Sequence, residues 1–186
     1  MSIPPPPLPG KLIVGLLYRD VHIHQQTLRS LGETFGVLDF LTGPEPFSFT
    51  HYYDREMGPG LLRQTVSFVD LVAPDTLADI KLATNALEQR FAVGGKRTIN
   101  IDPGLLSEER LVLATGKNYT HRIYLRDGIY ADLTLIYQRG GYQVFPWTYP
   151  DYQSPRLLHF LAALRQTLLI QRRGQLPTRH GETFDA

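Results

Sequence analysis

Residues 111–146 read LVLATGKNYTHRIYLRDGIYADLTLIYQRGGYQVFP, and this stretch decides the fold. Short β-branched and aromatic runs are cut at Gly116, at Asp127-Gly128 and at Gly140-Gly141. Runs of that length between turn residues predict an antiparallel meander. Asp127-Gly128 is the firmest of these signals, because a type I′ turn needs positive φ at both central residues. Strands are expected near 110–115, 121–126, 129–138 and 142–146, with another near 97–101 leading into them.

Upstream, Lys11 to Tyr18 (KLIVGLLY) is almost continuously apolar, which suits a central strand buried on both faces. Asp20 reads as the N-cap of a short helix whose inward face is Ile23, Leu28, Leu31 and Phe35, ended by Gly36. Residues 37–41 and 47–53 look extended, and RQTVSFVDLV (63–72) alternates as a strand does. Pro74-Asp75 opens a helix to about Phe91, closed by Gly94-Gly95. Downstream, Ser154-Pro155 supplies an N-cap and a first-turn proline for a helix to about Arg172. The order is β-α-β-β-α followed by a meander and a last helix. It predicts an α+β fold: a largely antiparallel mixed sheet with about three helices packed on it. A ferredoxin-like core extended by the meander is one topology that fits. A Pro-rich tail (1–10), a single α+β domain (11–172) and a flexible C-terminal tail (173–186) complete the expected organisation.

The chain has 186 residues and no cysteine. A disulfide framework, a thiolate nucleophile, an iron–sulfur cluster and a cysteine zinc site are therefore excluded. No apolar run reaches the ~18 residues of a membrane span, and MSIPPPPLPG lacks the apolar core of a signal peptide, so a cytoplasmic location is expected. The net charge of +1 hides an asymmetry. Residues 154–186 hold five arginines against two acids, both acids in the last five positions, so Arg156 to Arg179 is uninterruptedly basic. Such a helix can face nucleic acid, an anionic surface or the acidic body of its own protein.

Familiar catalytic strings are missing. No P-loop, dinucleotide-binding glycine pattern or nucleophile elbow occurs, so no cofactor is specified. His22 and His24 form an H-x-H, but two residues apart on a helix they point about 200° from each other, so no metal site is expected. Three other constellations carry chemistry. On the helix 75–91, Lys81, Asn85 and Glu88 form a stripe beside the apolar face of Leu77, Ile80, Thr84, Leu87 and Phe91, pointing along the helix–sheet seam where a pocket can open. A two-residue turn at Asp127-Gly128 pairs Leu125 with Tyr130, Ile123 with Asp132 and His121 with Thr134. His121 and Asp132 then stand roughly 5 to 8 Å apart as diagonal neighbours, an imidazole and a carboxylate suited to proton transfer, with Lys117 and Arg122 flanking to hold an anion. FTHYYDREMG (49–58) offers Tyr52, Tyr53 and Glu56, and FPWTYPDY (145–152) offers Trp147 among prolines. Aromatics in stiff loops sandwich rings or lid the core. Each constellation also has a plain structural reading, as a boundary stripe, a surface ion pair or a core lid. Asp102-Pro103-Gly104 reads as a type II turn.

The strings FTHYYDREMG, SFVDLVAPDTLADIKLATNALE, NIDPGLL, LVLATGKNYTHRIYLRDGIYADLTLIY and PWTYPDY, ordered between Lys11 and Arg172, resemble the bacterial family catalogued as domain of unknown function DUF4416. The resemblance implies a cytoplasmic, single-domain prokaryotic protein and no particular activity. Some members carry a GTP-binding label, which a P-loop does not support here. The expectation from the residues is a binder of, or enzyme on, a small anionic molecule, phosphorylated or nucleotide-like, at the helix–sheet seam. The alternatives are an RNA-binding module using sheet aromatics and the basic helix, or a protein-interaction domain built on that helix.

Overall fold

The computed structural model describes residues 3–174. In chain order it forms β1 (Gly10–Tyr18), α1 (Val21–Phe35), β2 (Leu38–Leu41), β3 (Glu45–Pro46), a one-turn α2 (Asp54–Met57), β4 (Leu62–Val72) and α3 (Leu77–Phe91). There follow β5 (Ile99–Leu106), β6 (Arg110–Thr115), β7 (Arg122–Arg126), β8 (Ile129–Gln138), β9 (Gly141–Val144) and α4 (Pro155–Arg173). The fold is α+β, one open nine-stranded sheet of order β2-β4-β1-β5-β6-β8-β7, with β3 on β4 and β9 on β8. All its strand pairs are antiparallel.

The four strands β2-β4-β1-β5, with α1 and α3 as crossovers, are the split β-α-β pair of a ferredoxin-like core. Both helices lie on one face, because the even residues of β1 (Leu12, Val14, Leu16, Tyr18) share a cluster with Leu31, Ile80 and Leu87. The meander β6–β9 continues the sheet outward from β5. The odd face of β1 is covered by α4, where Ile13, Leu106, Leu111 and Leu135 meet Leu157, Leu161 and Leu164. β1 is buried along its whole length, as its unbroken apolar text requires. Its one charged residue, Lys11, is fully buried. The ammonium donates to Asp39 of β2 (2.5 Å), the Phe68 carbonyl of β4 (2.8 Å) and Gln171 of α4 (3.2 Å).

Asp20 caps α1 through the amides of His22 and Ile23, and Ser154 caps α4 through Leu157. His24 is buried against Tyr18 and bonded to Gln64, while His22 is exposed, so the H-x-H pair is split as its spacing requires. The α4 arginines are spent on the body of the protein: Arg156 pairs with Glu45, Arg165 lies over Tyr137, Arg172 donates to Pro9, and Arg173 pairs with Glu108. α4 runs to Arg173 and Gly174 closes it; the rest of the tail expected over 173–186, Arg179 included, lies outside the described residues.

Three local expectations are corrected. Residues 47–53 are not a strand; the pairing of this segment with β4 is limited to Glu45–Pro46 just before them, and the chain turns from there into α2. Asp102-Pro103-Gly104 is the interior of β5, not a turn. The proline is tolerated because β6 joins β5 only from Gly104 onward, so the missing N–H falls where no β6 partner exists. Gly104 is needed for that junction, since a Cβ there would lie 2.6 Å from the Leu113 side chain. The third correction is register. Asp127 (φ 52°) and Gly128 (φ 75°) do form the two-residue turn, and Arg126 faces Ile129. A bulge at Leu125 then shifts the ladder, so Tyr124 faces Tyr130 and Arg122 faces Asp132.

Candidate functional site

The delayed start of the β5–β6 pairing leaves a slot in the sheet. Asn100 and Asp102 border it on β5, Leu113 to Thr115 on β6. α3 closes one face with Lys81, Asn85 and Glu88, and the 3-10 turn Pro150–Gln153 closes the other with Asp151 and Tyr152. The loop 47–53 and Tyr149 wall the mouth. The resulting cavity has a volume of about 640 Å³, within the range of small-molecule sites.

Of the residues singled out from sequence, Lys81, Asn85, Glu88, Lys117, Tyr52, Tyr53 and Asp132 line this one cavity. His121, Arg122, Glu56 and Trp147 do not. They stand behind it. Arg122 Nε donates to Asp132 Oδ2 at 2.8 Å and its Nη2 to the Tyr149 hydroxyl at 2.7 Å. His121 lies 3.3 Å from the same Asp132 oxygen and stacks on Trp147, so it reaches the cavity only through that carboxylate. Glu56 clamps Arg97, accepting from Nε at 2.9 Å and Nη2 at 2.6 Å; the clamp holds the Glu56 pKa below its ordinary value and raises that of Arg97.

Sequence reasoning missed Arg63, Arg97, Asn100 and Asp151 in the lining and left Asp102 to a turn. Arg63 offered a signal: a cation opening a β-branched strand whose partner, Leu17, belongs to the buried strand β1. Arg63 and Asp151 form a part-buried ion pair, and the Arg63 guanidinium lies over the Tyr152 ring. A chain of contacts runs along the β5 side: Arg97 Nη1 to Asn100 (2.6 Å), Asn100 to Asp102 Oδ2 (2.6 Å), and Lys81 Nζ to Asp102 Oδ1 (3.2 Å) and the Ile101 carbonyl (2.9 Å). Glu88 accepts from the Ile101 amide at 2.5 Å; burial pushes its carboxyl above its usual pKa against the pull of Lys81.

Four cations (Arg63, Lys81, Arg97, Lys117) and four carboxylates (Glu88, Asp102, Asp132, Asp151) line the cavity. Three of those cations already contact a carboxylate. Lys117 instead donates to the Tyr52 hydroxyl at 2.9 Å and sits 4.4 Å over the same ring, which lowers the Tyr52 pKa. Burial raises the Tyr53 and Tyr152 phenols, keeping both protonated near neutral pH. The cavity therefore presents donors to a ligand from Lys117, Arg63 and its tyrosines. Among the described residues no cluster of three or more His, Asp or Glu could hold a metal ion.

Fold and cavity together define an α+β domain with a polar slot through an antiparallel sheet. The chain belongs to the family described as domain of unknown function DUF4416, whose model matches residues 8–168. No curated protein and no solved structure matches it. Among the described residues no helix is long and apolar enough to cross a membrane.

Proposed function

We propose that the protein binds a small anionic molecule bearing a planar ring, phosphorylated or nucleotide-like, in the slot between β5 and β6. The observation that carries this reading is Lys117, the lining cation without a carboxylate partner among the described residues, held over an aromatic ring at the mouth of a nucleotide-sized cavity. Phe47, Phe49, Tyr52 and Tyr53 give the ring of a ligand apolar faces to stack on. Asn85, which makes no side-chain hydrogen bond among the described residues, and Asp102 offer polar edges. Lys81 is committed to Asp102 and the Ile101 carbonyl, so its part is to fix that carboxylate. If the bound molecule is also transformed, Asp132 is the one of the four lining carboxylates that a histidine, His121, backs.

The RNA-binding alternative drew on sheet aromatics and the basic final helix, and the protein-docking alternative on that helix. Its described arginines each have a contact on the protein's own body, with Glu45, Tyr137, Pro9 and Glu108, which weighs against the part the helix would play in either. A thermal-shift screen over nucleoside monophosphates, phosphosugars and divalent metals tests the proposal. A specific ligand at 100 times its dissociation constant adds about 2.7 kcal/mol of stability, a shift of several degrees. If no anionic ring compound moves the transition of the folded protein, the reading is wrong.

A further inference from the structure

Resting on that reading and deepening it, we infer that Arg63 and Tyr152 form an oxyanion subsite at the base of the slot, over Gly15, where the phosphoryl or carboxylate group of the ligand is held.

Arg63 Nη2 and Tyr152 Oη are buried side-chain atoms with no hydrogen-bond partner among the described residues. Leaving a buried donor unpaired costs about 1 to 3 kcal/mol, so two together in one cavity wall call for an acceptor. They lie close together against β1: a Cβ built on Gly15 would lie 3.1 Å from Tyr152 Oη and 3.5 Å from Arg63 Nη2. Gly15 sits mid-strand in β1, where any side chain would crowd this space. A guanidinium can only donate. The Tyr152 phenol is 3% exposed and stays protonated, so it too can donate. Arg63 is fixed from its other nitrogen by Asp151. A guanidinium N–H and a phenol O–H side by side suit an oxygen anion, which accepts from both, whereas an ammonium could donate only to the phenol oxygen and would meet the like charge of Arg63.

The test measures binding of inorganic phosphate and of acetate, separately, and of a nucleoside monophosphate, to the full chain by calorimetry. Tyr152→Phe removes one donor and Gly15→Ala places a methyl against both. Because Tyr152→Phe deletes an unpaired hydroxyl, its unfolding midpoint should stay level or rise. Its affinity for the better of the two ions should fall about tenfold, the equivalent of 1.4 kcal/mol. Gly15→Ala should weaken that ion at least as much. The better-bound ion tells a phosphoryl from a carboxylate preference. Ion binding that both base variants leave unchanged overturns the subsite, as does nucleotide binding with no affinity for either ion. Ion binding that the base variants weaken, with no ring compound bound, upholds the subsite and overturns the broader reading. No binding of any of the three overturns both.

Discussion

Arg122 and Asp132 face each other across the β7–β8 ladder, Nε to Oδ2 at 2.8 Å, with both side chains almost fully buried. The bulge at Leu125 brings them opposite, and it hands the carboxylate first to the guanidinium and second to His121. Asp132→Asn should therefore leave a buried guanidinium unpaired and cost about 3 to 5 kcal/mol in urea unfolding. His121→Ala loses chiefly its stacking on Trp147 and should cost about 1 kcal/mol. Equal losses in the two variants would mean that His121, not Arg122, is the principal partner.

Leu161 is fully buried between α4 and the sheet, in contact with the cluster around Ile13 and Leu135. Leu161→Ala should cost about 2 to 5 kcal/mol, the usual loss for a large-to-small change in a packed core. A loss below ~0.5 kcal/mol would mean that α4 does not dock.

His24 should give the stability of the fold a pH dependence. Its ring is stacked on Tyr18 and bonded to Gln64, and burial holds its pKa below the ordinary 6.5. The unfolded chain takes up the proton at the ordinary value and the folded chain resists it. The contribution is therefore complete above about pH 6.5 and declines as pH falls through the lowered folded value. Urea midpoints at about pH 7.5 and pH 5.5 should differ more for the native chain than for His24→Gln. Parallel profiles would remove His24 as the cause.

Lys117→Met keeps the stem over Tyr52 and deletes the charge. The side chain is exposed, so stability should change by less than about 0.5 kcal/mol, while affinity for a nucleoside monophosphate drops about tenfold or more. Unchanged affinity would detach Lys117 from ligand binding.

Periodicity and punctuation made the helices and most strands legible, because each of those signals is local: Asp20 and Ser154 cap helices wherever they occur, and Asp127-Gly128 turns whatever lies beside it. Pro103 was misread because its permission to sit in a strand comes from β6, which pairs with β5 only beyond it. The bulge at Leu125 has no local marker either; without it the inferred partners of Asp132 were one residue out of step. The same division holds in the cavity. Lys81, Asn85 and Glu88 were visible as a stripe because a helix repeats. Arg63, Arg97 and Asp151 were not, since each enters the lining through a partner distant in sequence: Asp151 for Arg63, Glu56 for Arg97.

Lys11 sets an order on the making of this protein. Its ammonium lies in β1, which leaves the ribosome well before α4, and its third acceptor, Gln171, is 160 residues further along the chain. While the nascent sheet assembles, Asp39 and the Phe68 carbonyl can be satisfied, but one ammonium donor and the apolar face awaiting Leu157, Leu161 and Leu164 stay wet. Docking of α4 covers that face with its first turns and brings Gln171, in its last, to the ammonium. A chain ending short of Gln171 keeps the Lys11–Asp39 pair but lacks the third acceptor, so one donor of a buried ammonium stays without its partner.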